Sequence, residues 1–175
     1  MINQIYRSQV ELLLRILPYV ANEKDFALKG GTAINMFIWD MPRLSVDLDL
    51  TYVNVDHREI ALSNISAALK RIQEQIINNT DIQVVTTEQD IGQAVKLVCK
   101  YRNTQVKIEA NTIMRGIIKP ITTMQVAPTV QKEFGLFAEM NIISYGELFG
   151  GKICAALDRQ HPRDLFDIFC LLQKC

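Results

Sequence analysis

The stretch "KGGTAINMFIWDMPRLSVDLDL", Lys29 to Leu50, decides how the rest of the chain reads. A Gly-Gly turn leads into a short apolar run, and a strand carrying Asp47 and Asp49 follows. Strand side chains alternate between faces. Ser45, Asp47, Asp49 and Thr51 therefore share one face of that strand, and Val46, Leu48 and Leu50 share the other. Two carboxylates on one face raise each other's pKa unless a cation neutralises them. A divalent metal that prefers oxygen ligands is the natural cation. The bland alternative is a solvated edge strand.

A second acidic strand shifts the balance. In "QVKIEAN", Gln105, Lys107, Glu109 and Asn111 share one face. If the two strands are neighbours, Asp47, Asp49 and Glu109 converge as in a metal-dependent phosphoryl-transfer centre. The surrounding segment holds Lys96, Lys100, Arg102, Lys107, Arg115 and Lys119 against a single acid, Glu109. That local excess suits a triphosphate or an RNA backbone, although lysines also guard an edge hairpin. Gly30 and Gly31 let the backbone approach an anion, and Thr32 is the expected N-cap of the helix behind them.

Outward from this centre the pattern is helical at both ends. Leu12, Leu13, Ile16, Leu17 and Val20 recur at helical spacing, and Pro18 is expected to bend or end that helix. A long helix is expected over 57–77, with Ile60, Ile65, Leu69, Ile72 and Ile76 inward. Strands follow at 82–87, 94–101 and 105–113, the last two joined by a hairpin loop over Arg102, Asn103 and Thr104. One further helix starts near Tyr145 and another at Pro162. In the first, Lys152 and Arg159 share a face over Ala155 and Ala156 and could close on phosphates. In the second, Asp164 suits the helix N-terminus, Arg163 and Asp167 are spaced for an intrahelical ion pair, and Leu165, Ile168, Phe169 and Leu172 form the expected core face. Lys152 is expected to carry reaction charge more than stability.

Bulk composition excludes little. Lys+Arg 19 balances Asp+Glu 19, so any nucleic-acid partner must meet a local patch. Arg7, Glu11 and Arg15 interrupt the N-terminal apolar run, which argues against a membrane span or signal peptide. The cysteines Cys99, Cys154, Cys170 and Cys175 form no Cys-x-x-Cys pair, which fits reduced thiols in a cytoplasm and no zinc site.

Taken in order, Gly30-Gly31-Thr32, Arg43-x-Ser45-x-Asp47-Leu-Asp49, Lys107-Ile-Glu109, Glu147, Lys152 through Arg159 and Arg163-Asp164-Leu-Phe-Asp167 resemble the AbiEii-type nucleotidyl transferase toxins of the DNA polymerase β-like superfamily. The resemblance implies an α+β nucleotidyltransferase fold, a mixed central sheet with flanking helices, as a single domain over 1–175. Many relatives continue into a C-terminal helical region beyond the point matched by Cys175. It implies transfer of a nucleoside monophosphate from an NTP to an acceptor such as tRNA, with pyrophosphate released. Asp47, Asp49 and Glu109 would hold Mg²⁺, with Mn²⁺ as the substitute. Gly30, Gly31, Thr32, Arg43 and Ser45 would cradle the triphosphate, with Lys152 and Arg159 also on the nucleotide. Asp164 would be required for activity. A cognate antitoxin in a bacterial toxin–antitoxin or phage-defence locus is the implied partner. The alternative is a non-catalytic nucleotide-binding or interaction module retaining the fold.

Overall fold

The computed structural model describes residues 4–89 and 93–174. Cys175 lies outside the described residues. Helix α1, Gln4–Ala21, buries Val10, Leu13, Ile16, Leu17 and Val20. Pro18 lies inside it rather than ending it, because the backbone ring continues with Asn22 N–H donating to the Pro18 carbonyl at 3.2 Å. Strand β1, Phe26–Lys29, runs into α2, Gly30–Ala33, which widens into a π-turn over Ile34–Ile38. Strand β2 is Asp47–Tyr52, and α3 is Arg58–Asn79. Ile60 departs from expectation: it is exposed, and Ala61, Ile65, Ala68, Leu69, Ile72 and Ile76 form the buried stripe.

The next strands are β3, Gln83–Gln89, β4, Gln93–Tyr101, and β5, Thr104–Asn111. Arg102, at φ 52°, turns the β4–β5 hairpin. Three short elements that the sequence pattern did not reveal follow: β6, Thr122–Gln125, α4, Pro128–Phe134, and β7, Glu139–Ile142. Helices α5, Tyr145–Arg159, and α6, Pro162–Lys174, close the described chain.

The strands form one mixed sheet in the order β3-β4-β5-β2-β1-β7-β6. β2 lies between β5, which is parallel to it, and β1, which is antiparallel. Apolar residues align in rows on one face: Leu28 beside Leu50 and Ala110, and Leu48 beside Ile108 and Leu97. These rows are buried, with α1 and α3 packed over the sheet and against each other. Burying apolar side chains on this face drives the register, since a slip of one residue would turn the acids of β2 into the core. The opposite face is left for polar residues, with α2 against β2 and α5 against α2.

Candidate active site

The register of three strands builds the acidic face. Asp49 pairs with Lys29 on β1 and with Glu109 on β5, and Glu109 pairs with Lys96 on β4. The polar row therefore reads Lys29, Asp49, Glu109, Lys96 across the sheet, with Asp47 and Lys107 in the row below. The expectation that the two acidic strands are neighbours with their acids on one face is met. Glu109 is held by Lys96, with Nζ 2.8 Å from its Oε2, and is more than half exposed. Among the described residues no three His, Cys, Asp or Glu side chains gather into a ligand set.

Asp49 is the strained member. Burial first, then the charges of Asp47 and Glu109, push its carboxyl above the ordinary range, while Lys29 and Lys152 pull the other way. Lys29 in turn is lowered by its own burial, with Asp49 opposing.

Gly30 has a left-handed backbone (φ +74°), and a Cβ there would collide with Asp49 Oδ2. At Gly31 a Cβ would stand 2.8 Å from both Arg43 Nη2 and Ser45 Oγ. Gly30 is therefore favoured by both the turn and close approach, and Gly31 by close approach alone. Thr32 does not cap the helix. Lys29 occupies the cap position, and no side chain caps there. Thr32 is fully buried, and its hydroxyl donates to the Asp47 carbonyl at 2.5 Å while lying 3.1 Å from Ser45 Oγ. It fixes the entry to β2, and its side chain is shut off from any ligand.

Behind the glycines lies a buried ionic cluster. Asp167, wholly buried, accepts from Arg43 through Nε at 2.7 Å and through Nη2, and from Asn35 Nδ2 at 3.2 Å. Lys152 Nζ sits 2.8 Å from Asp164 Oδ1 and 3.2 Å from Asp167 Oδ2. Arg159 Nε donates to Asp164 Oδ2 at 2.6 Å. Burial would raise the Asp164 carboxyl, but bonds from Arg159 and Lys152 outweigh it and lower it to about 2. Here the structure corrects three expectations. Asp167 pairs with Arg43 and Lys152, not with Arg163. The inward face of α6 carries Asp164, Asp167 and Leu171, whereas Leu165, Phe169 and Leu172 are exposed. Lys152 is buried in ion pairs and is not held by solvent, so it carries stability too. The cause is shared: charge partners from distant segments make it favourable to turn aspartates inward.

Asp167, Asn35, Lys29 and Lys96 were not singled out as site residues. The i, i+3 spacing of Asp164 and Asp167 was the available signal, since both must face the same way. Glu147 serves the α5 N-terminus. It accepts from Ser144 Oγ at 2.6 Å and from the Ile118 N–H at 2.8 Å, and its own N–H donates to Ser144 Oγ. A surface cavity lined by Pro18, Phe137 and Asn141 among others contains none of these site residues.

The family model described as the nucleotidyl transferase AbiEii toxin, type IV toxin–antitoxin system, matches residues 11–175. The chain belongs to the AbiEii nucleotidyl transferase toxin family. Among solved structures it is similar to MenT4, a nucleotidyltransferase toxin from Mycobacterium tuberculosis H37Rv, with a TM-score of 0.64 and 15% identity. That match covers 93% of this chain and 57% of MenT4, so the chain spans a little over half of that protein's length. At this identity the likeness shows the fold alone, an α+β architecture on a mixed sheet. No curated protein matches the chain.

Proposed function

We propose that this AbiEii chain transfers a nucleoside monophosphate from an NTP to an RNA acceptor, tRNA being the favoured class. The observation that carries the reading is the parallel β2–β5 register, which sets Asp49 beside Glu109 while Gly30 packs directly on Asp49. An acceptor hydroxyl oxygen would attack the α-phosphorus. The bond from that phosphorus to the bridging oxygen would break, and pyrophosphate would leave. Glu109, exposed and charge-paired with Lys96, would take the hydroxyl proton.

Asp47 and Asp49 fit a Mg²⁺ or Mn²⁺ ion, because Asp49 is half-buried beside like charges that only partial cationic help offsets. Such an ion would supply neutralising charge on the phosphate oxygens. The Gly30–Gly31 turn would offer backbone N–H groups to the triphosphate, with Ser45 and Arg43 behind it. Lys152, whose charge reaches Asp49, would stabilise the phosphates electrostatically. Asp164 would act by positioning Lys152 and Arg159.

The proposed setting is a bacterial cytoplasm, with a cognate antitoxin opposing the toxin and phage defence as the outcome. Among the described residues no helix is long and apolar enough to cross a membrane, and Cys99, Cys154 and Cys170 are free thiols. The test is incorporation of labelled NTPs into total RNA with Mg²⁺ and with a chelator. Incorporation abolished by chelator and by Asp49→Asn supports the reading. No incorporation with any NTP sinks it. One observation favours a non-catalytic module instead: Asp164 already engages both Lys152 and Arg159. That alternative expects nucleotide binding without incorporation.

A further inference from the structure

A surface cavity of about 210 Å³ opens between the start of α1, the loop before β2 and the start of α6. Tyr6, Arg43, Leu44, Ser45, Val46 and Arg163 line it, two guanidiniums and two hydroxyls with no carboxylate among them. Its polar wall backs on the Gly-Gly turn, since Arg43 Nη2 and Ser45 Oγ are the atoms that a Cβ on Gly31 would meet at 2.8 Å. Leu44 and Val46 supply an apolar lining, which strengthens a charge interaction by displacing water.

The two arginines differ in how they are held. Arg43 is fixed: Asp167 accepts from its Nε at 2.7 Å and the Leu44 carbonyl from its Nη1 at 3.0 Å. Its side chain is still 15% exposed, and a guanidinium has five N–H donors to share. Arg163 is exposed and makes no ion pair among the described residues. Its neighbours on α6 are already engaged, Asp164 by Lys152 and Arg159, and Asp167 by Arg43 and Lys152. Three cations thus share two carboxylates beside the cavity, and Arg163 adds a further positive charge with nothing to offset it. The N–H groups of Arg163, Asp164 and Leu165 are bonded to His161, so side chains and not the helix end supply the free donors.

We propose that this cavity binds a phosphate group of a substrate, with Arg163 as the free guanidinium that closes on it, an inference that rests on the nucleotidyltransferase reading. A phosphate matches the guanidinium fork, and its charge offsets the local excess of cations. Both substrates of that reaction carry one. The outer phosphates of the NTP and the backbone of the RNA acceptor offer the same chemistry, and separate probes distinguish them.

The experiment measures the affinity of wild type, Arg163→Met and Arg163→Lys for pyrophosphate, the group common to all NTPs, and for a short single-stranded RNA over a range of salt. The expected result is a loss of about tenfold in Arg163→Met for one probe, with partial recovery in Arg163→Lys and an unchanged melting temperature. If the NTP is the source, pyrophosphate affinity falls and the RNA salt dependence holds. If the RNA is the source, the slope of log affinity against log salt falls by about 0.7, the share of one single-strand phosphate contact. Unchanged affinity for both probes, or no binding of either by wild type, overturns the proposal and leaves Arg163 a solvated cation. A lowered melting temperature with affinities intact overturns it as well. Should wild type incorporate no NTP while the Arg163 dependence persists, the nucleotidyltransferase reading fails and the phosphate site stands. Normal incorporation by an Arg163→Met variant that binds both probes as wild type does fails the proposal alone.

Discussion

The same residue type meets opposite fates on the two sides of the Gly-Gly turn. On the sheet, Asp49 is half-buried beside Asp47 and Glu109, and its carboxyl is raised. On α6, Asp164 is buried beside Lys152 and Arg159, and its carboxyl is lowered to about 2. Burial pushes both carboxyls up, so burial alone does not separate them. The nearest charges do. The sheet side is an unfinished charge set that favours an incoming cation. On the helix side each carboxylate already has cations, and the π-turn, the Arg43 loop, α5 and α6 are drawn together through Asn35, Arg43, Lys152 and Asp167.

The contrast breaks first if the helix side proves dispensable for stability. Asp167→Ala would leave Arg43 without its carboxylate and Lys152 with only one, and is expected to destabilise the fold by about 3–5 kcal/mol. Chemical denaturation measures this, and a change within about 0.5 kcal/mol, the range of neutral surface substitutions, would refute the ion-cluster description. The sheet side should behave in the reverse way. Asp49→Asn is expected to leave the unliganded fold as stable as wild type or more so, while NTP transfer falls by about a hundredfold or more. A variant that unfolds would place Asp49 among the structural residues.

Acid separates the two regions more finely. A carboxyl raised by folding costs stability while it is charged, and that cost is relieved as pH falls through its folded pKa. A carboxyl lowered by folding contributes stability above its unfolded pKa, near 4, and loses it as pH falls through its folded value. Wild type is therefore expected to gain from Asp49 as the medium turns mildly acidic, then to lose the Asp164 contribution between about pH 4 and 2. Melting curves of wild type and Asp49→Asn across this range check it, because the variant should lack the gain and keep the loss. The smallest effect belongs to the exposed pair at the edge of the acidic row. Lys96→Ala is expected to change stability by under about 1 kcal/mol. Its use is kinetic: if Glu109 takes the proton, freeing it should change the rate of turnover with the fold intact.

The sheet side was legible because its logic is local. Alternation in Asp47–Thr51 and Gln105–Asn111 assigns faces, and a Gly-Gly turn before an acidic strand limits the geometry. The helix side was not, because its logic spans the chain: Arg43 and Asp167 are 124 positions apart. Periodicity counts apolar residues, so it placed Leu165, Phe169 and Leu172 inward. It has no means of knowing that Asp164 and Asp167 would find cations from other segments. Thr32 was misassigned for a related reason, since its partner is a carbonyl on the next strand and not its own helix. β6 and β7, each four residues long, are too short for alternation to stand out.

The parallel pairing of β2 with β5 has a consequence for how the protein comes into being. Asp49 and Glu109 become neighbours only after the chain between them has folded back through α3, β3 and β4. Loop closure of that span has to precede any reward from the contact. The cations of α5 and the aspartates of α6 come later still in synthesis. A nascent chain that has emerged only as far as β5 holds the acidic face without Lys152, Arg159 or the clamp on Arg43. The order of residues along the chain therefore completes the acidic face before the cations and aspartates of α5 and α6 exist to stand beside it.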